Sequence, residues 1–446
     1  MPEPKPALNP ALNPPANPAL APVLLVNFIG TMGFSIVLPF LVFMVTRFGG
    51  NPLVYGVVGA TYPIFQFFGA PVLGRWSDRF GRKRILLLSQ AGTFLSWVIF
   101  CVALTLPVTP LLAVDSAVLG KFTLTLPLVV IFVARALDGL TGGNISVANA
   151  YVADISTDET RNANFGKMGV AANLGLILGP AMASLLGLTS YGEVLPVLAA
   201  TAISLVALVM IAVILPESSP CGVPAPSSTS RSGGVLGQEL RDCMRTVEGR
   251  GGNTREALKR PGVAFILLLN FLILLSFNFF YTAFPVHAVT NLSWTIVETG
   301  MFFSLLSFLM VIMEGPVLSW LSKRIEETWL VVAGCFLLGT TFLFMQSFRV
   351  ELVYLGAVFF ALGNGIMWPS LVSLVAHFGG VRHQGVVQGM AGSAGSLAGV
   401  IGLISGGIAF GVLGAGTFLI SAGFAYASFG LSFLLPGMER KVREAA

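Results

Sequence analysis

Charge is what this sequence has least of: only 10% of its 446 residues are Asp, Glu, Lys or Arg, whereas 55% are hydrophobic. Soluble chains carry roughly 25% charged residues, so a water-facing surface for a chain this long has no material to be built from. Cysteine is equally sparse. Cys101 and Cys335 fall in apolar stretches and Cys221 and Cys243 in a polar one, with no C-x-x-C spacing among them, which argues against a disulfide scaffold or a thiolate metal centre. No Walker-type phosphate loop occurs, so ATP-driven chemistry has no motif to rest on, and no cofactor is expected. The first residues lack the basic, apolar and small-residue blocks of a secretion signal. Eight prolines by Pro22, in a Pro/Ala/Asn repeat, predict instead a solvated, disordered cytoplasmic leader over residues 1–19.

Long apolar runs stand in place of charge. From Gly385 to Met438 no Asp, Glu, Lys or Arg occurs; a helix crosses the hydrocarbon core in about 20 residues, so this run holds two spans. Breaking the runs at charges, prolines and glycine turns predicts twelve transmembrane helices. They lie near 20–46, 52–74, 85–107, 126–153, 166–188 and 193–215, then 262–286, 297–321, 328–347, 351–376, 385–410 and 414–435. The expected fold class is therefore an all-α membrane protein of two six-helix bundles, over 20–215 and 261–436. A cytoplasmic linker over 216–260 joins them and a cytoplasmic tail over 437–446 follows. Within the linker, Leu236, Leu240, Met244 and Val247 fall at near-helical spacing around Arg241 and Arg245. That pattern reads either as a helix lying on the membrane surface or as a mobile tether.

The positive-inside rule orients the chain. With both termini cytoplasmic, 21 of the 25 Lys and Arg lie inside; Arg47, Lys121 and Arg349 lie outside, and Arg135 sits within a span. The net charge of +5 is thus the orientation signal and no sign of nucleic-acid binding. A multi-pass protein of the inner cell membrane is expected, monomeric, with the lipid bilayer as its solvent.

The two halves repeat each other locally. Pro71-Val-Leu-Gly-Arg-Trp-Ser-Asp-Arg79, after span two, matches Pro316-Val-Leu-Ser-Trp-Leu-Ser-Lys-Arg324, after span eight, at five of nine positions. Parallel six-span repeats are the construction of major facilitator transporters. The segment Gly74-Arg-Trp-Ser-Asp-Arg-Phe-Gly-Arg-Lys-Arg84 resembles that superfamily's signature loop between spans two and three. Arg135-Ala-Leu-Asp-Gly-Leu-Thr-Gly-Gly143 resembles its fourth-span motif, and Gly175-Leu-Ile-Leu-Gly-Pro180 its fifth-span antiporter motif. With Leu215-Pro-Glu-Ser ending span six, the first half looks most like the tetracycline-efflux branch of the drug:proton antiporters. Two departures stand out: Ala183-Ser184 replaces a glycine pair after the antiporter motif, and Gly30 stands where tetracycline exporters carry a span-one Asp.

The resemblance implies alternating access around a central cavity and proton-coupled efflux of an amphipathic organic compound. The alternatives are transport of a sugar, carboxylate or lysolipid, or a non-transporting sensor on the same scaffold; none of these is an enzyme. It also implies an inner-face latch from Gly74, Asp78, Arg79, Gly81 and Arg82, with Asp78 at the start of span eleven near Gln384 and the basic residues on Asp154. Such a loop also reads simply as an orientation signal.

Charges inside spans are costly and so mark function by default. Away from the span ends three occur: Arg135, Asp138 and Glu314. Arg135 and Asp138, three apart, share a helix face and can pair, either as a structural ion pair or as a proton and substrate site. Glu314 lies nine residues, or ~13 Å, from Lys323 at the inner face, and its repeat counterpart is Gly69. Having no partner close in sequence, it is the preferred titrating group, since burial favours the neutral form of a carboxyl and solvation the charged form. Asn27, Gln66, Asn144 and Asn173 in the first half, and Asn278, Asn364 and Trp368 in the second, are candidates to line the cavity, although amides also bind helices to one another. His287 is expected at the interface. Gly175, Gly179 and Pro180, with Gly395 and Gly399, read as small residues for close helix packing.

Overall fold

The computed structural model describes residues 19–37, 39–116, 119–142, 144–156, 161–218 and 254–444. The predicted leader and most of the linker, with its possible surface helix and Cys221 and Cys243, lie outside them.

Helix occupies each predicted span, with informative breaks. Span one is α1 (Leu20–Ser35) and α2 (Leu41–Arg47), separated around Pro39, whose ring blocks helix continuation. The signature loop is nearly all helix: α3 (Pro52–Phe80) runs into α4 (Arg82–Thr105) through Gly81 alone, a residue at φ 100° where a side chain would be strained. A hairpin follows that the apolar pattern did not anticipate, β1 (Pro110–Ser116) antiparallel to β2 (Gly120–Thr125). Span four splits into α5 (Leu126–Thr141) and α6 (Asn144–Asp154), with Gly142 capping the first. The first half ends with α7 (Arg161–Gly187) and α8 (Val194–Val213).

The second half begins with a short α9 (Thr254–Lys259), then α10 (Val263–Thr290) and α11 (Ile296–Ile312). A π-helical turn at Met313–Val317 joins α11 to α12 (Leu318–Leu321). Next come α13 (Glu327–Met345) and α14 (Val350–Leu413), whose backbone leaves helical geometry at Gly380 and so forms two arms. The chain closes with α15 (Thr417–Ser432) and α16 (Leu435–Glu444). The π turn contains Pro316, which supplies no amide hydrogen to the helical ladder.

Among the described residues, nine helices are long and apolar enough to cross a membrane. Their outward faces are apolar as well: in α8 only 33% of the span is buried although its mean hydropathy is 2.6. Val206, Val209 and Val213 are at least half exposed. So much bare apolar surface requires lipid rather than water around it. This is an integral, multi-pass membrane protein.

The halves meet at one end and part at the other. A methyl group at Gly56 of α3 would strike the Leu403 carbonyl of α14, and one at Gly407 would stand 2.5 Å from the Pro52 carbonyl. Farther along, a methyl at Gly399 would be 3.9 Å from Pro63, and at Gly74, Gly389 and Gly392 it would meet nothing within 4 Å. The second seam, between α7 and α11, is graded in the same way. A methyl at Gly300 would strike the Ser184 hydroxyl, and that hydroxyl donates to the Val297 carbonyl at 2.8 Å, whereas Gly166 and Gly169 face open space. Both closing helices start on firm caps. Asn51 accepts from the Val54 amide at 3.0 Å, and Thr295 and Glu298 form a capping box. The hairpin steadies the first of these starts, because Thr123 donates its amide to the Gly49 carbonyl and Asn51 its side-chain amide to the Leu119 carbonyl.

Candidate functional site

A cavity of about 240 Å³ lies inside the first half. Its polar wall includes Asn27, Thr31, Tyr62, Gln66, Gln90, Thr93, Arg135 and Asp138; Val26, Leu86, Trp97 and Ile211 make much of the rest. The rotation of α5 that aims Arg135 and Asp138 inward is set by a hydroxyl stripe on α4. Ser89 donates to the Thr141 carbonyl, Thr93 to Asp138 Oδ1 at 2.9 Å, and Ser96 to the Ala134 carbonyl at 2.8 Å. Spacing of four and three residues places these donors on one face, and the pattern Ser89-x3-Thr93-x2-Ser96 was visible in the sequence, although only the structure shows what it holds.

The pair itself is open. Arg135 Nη1 stands 3.6 Å from Asp138 Oδ2, with the two side chains 8% and 12% exposed. That exceeds a charge-assisted hydrogen bond of about 2.7–2.9 Å. The Tyr62 ring lies 5.0 Å from the Arg135 guanidinium carbon, a cation–π contact. Arg135 Nε is buried without a hydrogen-bond partner among the described residues. Gln66 donates to the Gly142 carbonyl at 2.8 Å and to the Tyr62 hydroxyl at 3.1 Å, satisfying a carbonyl freed where α5 ends. Gly30, at the position of the missing span-one acid, also lines this cavity.

Glu314 lies elsewhere. It is absent from the cavity wall, and it is not unpartnered: Asn173 of α7 donates to its Oε2 at 2.9 Å across the seam between the halves. The absence of a partner close in sequence concerned its own helix; the partner found stands 141 positions away. Its repeat counterpart Gly69 has no room for a side chain, since a methyl there would strike the Leu140 carbonyl.

The other amides divide between lining and packing. Asn27 lines the cavity and also donates to the Met168 carbonyl of α7 at 2.9 Å. Asn278 donates to Leu274 within its own helix, and Asn364 reaches Met310 Sδ at 3.7 Å. Trp368 packs against the main apolar core, and the Asn144 side chain lies outside the described residues. His287, expected at the interface, is instead fully buried between the Ser347 carbonyl and Asn291; aromatic neighbours Phe348 and Phe418 enclose it. Gly175 and Gly179 bring α7 against α1, where added methyls would stand 2.7 Å from the Phe28 and Met32 carbonyls. The buried Pro180 presents its carbonyl to Gly300, Gly395 faces Leu274 and Gly399 faces Asn278. Gly56, Gly300 and Gly407, which carry the contact between the halves, were not singled out from the sequence.

At the open end the signature residues form a network within the first half. Arg82 donates from Nε to Asp154 at 2.9 Å and from Nη1 to Ser77 at 2.6 Å. Glu217, just beyond α8, accepts from the Lys83 amide at 2.9 Å and lies against Gly81, a carboxylate at a helix start. Arg79 stacks on Phe80, and Gly74 is open. The Asp78 and Gln384 side chains lie outside the described residues. Asp154→Ala removes the carboxylate to which Arg82 Nε donates; thermal unfolding in detergent should show a lower Tm that Asp154→Glu partly recovers.

The profile of the Major Facilitator Superfamily matches residues 23–403. The class D tetracycline resistance protein of Salmonella ordonez is 27% identical over 85% of this chain and 86% of its own length. Major facilitator superfamily domain-containing protein 10 of Bos taurus is 26% identical over 81% of this chain and 74% of its own. Among solved structures, the human organic anion transporter MFSD10 superposes with TM-score 0.63 at 19% identity, covering 94% of this chain and 100% of that one. A D-xylose–proton symporter superposes with TM-score 0.71 at 12% identity, covering 93% and 96%.

Proposed function

Because the chain belongs to the Major Facilitator Superfamily, we propose that it is a secondary active transporter, not an enzyme, and that it exports an amphipathic organic compound in exchange for protons. The observation that carries this reading is the Arg135–Asp138 pair. It is an ionisable pair on the wall of a cavity, in a half that meets its partner half at one end only. In the orientation expected from the charge asymmetry, the closed end faces outward, so this conformation is inward-facing with both termini cytoplasmic. The resistance role named for relatives of Salmonella and Escherichia coli supports export as the direction.

In this reading Asp138 is the group that exchanges protons, since it is the acid on the cavity wall. Glu314, bonded to Asn173 across the seam, couples the halves to each other. The inner-face residues around Arg82 and Asp154 shape the rim that closes when the cycle turns over.

A ligand-stabilisation screen on the purified protein, followed by flux of each hit in proteoliposomes with and without an imposed pH gradient, tests the reading. The expected result is accumulation that follows the gradient and collapses on adding a protonophore. Flux indifferent to the gradient would remove proton coupling from the proposal.

A further inference from the structure

We infer that the cavity takes a dipolar ligand, one whose cationic donor and anionic acceptor are both carried on one carbon of an apolar body. The inference deepens the transport reading above and rests on its assignment of this cavity as the ligand site. Three features carry it. The Arg135 guanidinium is nine-tenths buried yet under-coordinated: Nε has no hydrogen-bond partner among the described residues, and Nη1 stops 3.6 Å short of a carboxylate. That carboxylate is half used, with Oδ1 taking the Thr93 hydroxyl at 2.9 Å and Oδ2 left with the distant Nη1. Both groups line the same cavity, whose remaining wall includes Val26, Leu86, Trp97 and Ile211.

Buried polar groups are ordinarily satisfied, and unmet ones cost free energy. A lone anion would meet Arg135 but crowd Asp138, and a lone cation the reverse. A ligand with both charged groups attached to one carbon matches a pair held this close together, and its body reaches the apolar wall. Its arrival also defines the proton step. As the ligand's ammonium pairs with the Asp138 carboxylate, any proton held there leaves to water, and the ligand's anion takes the donors that Arg135 leaves unused. The titratable groups facing Asp138 are Arg135 on its own helix and Tyr62 on α3, with Tyr55 close to Arg135. The α4 and α1 walls contribute Thr93, Gln90 and Thr31, which carry no charge.

The test uses L-tryptophan, L-tryptophan methyl ester and N-acetyl-L-tryptophan on the full chain in detergent, followed by calorimetry in two buffers of different ionisation enthalpy. Free tryptophan should bind at least tenfold more tightly than either derivative and release protons on binding. Arg135→Gln should erase the preference over the ester, and Asp138→Asn the preference over the N-acetyl compound together with the proton release. Arg135→Lys, which keeps the charge, guards against misfolding and should retain part of the preference. Equal binding of all three compounds, or of none, would overturn the dipolar ligand. Should flux hits from the screen still depend on Asp138 but not on Arg135, the cavity remains the transport site and the ligand is a simple cation. Should they depend on neither, the site assignment itself falls.

Discussion

Asp138→Asn should reduce pH-driven transport by about a hundredfold or more while the protein still folds. The amide is the same size and still accepts from Thr93, so the α4–α5 stripe survives. What disappears is a charge beside Arg135 and a site for a proton. A hundredfold loss corresponds to about 2.7 kcal/mol, just below the roughly 3–5 kcal/mol cost of leaving one member of a buried pair alone. Part of that cost will appear as lost stability, so the informative variant is the double one. Arg135→Gln with Asp138→Asn removes both charges and should recover stability. If the pair is only a structural brace, the double variant transports at the parental rate; if Asp138 carries the proton, it stays inactive against a gradient. Glu314→Gln, which retains an acceptor for Asn173, should keep gradient-driven accumulation. A loss there equal to that of Asp138→Asn would move the coupling group to the seam.

Gly56→Leu should hold the closed end apart and arrest the cycle. At this position the α3 and α14 backbones touch, and even a methyl would strike the Leu403 carbonyl. Overpacking costs roughly 1–3 kcal/mol, and each 1.4 kcal/mol is about a tenfold change in population. The expected shift away from this conformation is therefore about tenfold to a hundredfold. Each half retains its own helix contacts, so the variant should fold. Spin labels at Leu188 and Val412, both well exposed near the closed end, should report a longer distance than in the parent, with transport lost in parallel. An unchanged distance and parental transport would show that α3 and α14 slip past each other without needing this contact.

Which features were legible in the sequence follows from how each is encoded. The scarcity of charge and the length of the apolar runs determined a multi-pass helical membrane protein. The Pro71 and Pro316 repeats pointed to its two-half construction. Arg135 and Asp138 were legible as a pair because three residues along a helix is a fixed geometry. The β hairpin escaped because it lies outside the apolar runs, and the break at Gly142 because hydropathy does not register a kink. Tertiary structure alone decided that Asp138 faces the cavity while Glu314 faces Asn173, and that His287 is buried. It likewise decided that Gly56, Gly187, Gly300 and Gly407 stand at the contact between the halves. The physical reason is the same in each case. Neighbours along one helix are set by its 3.6-residue turn, but neighbours between helices depend on rotation, kinks and separation, which are settled only when all the helices pack at once.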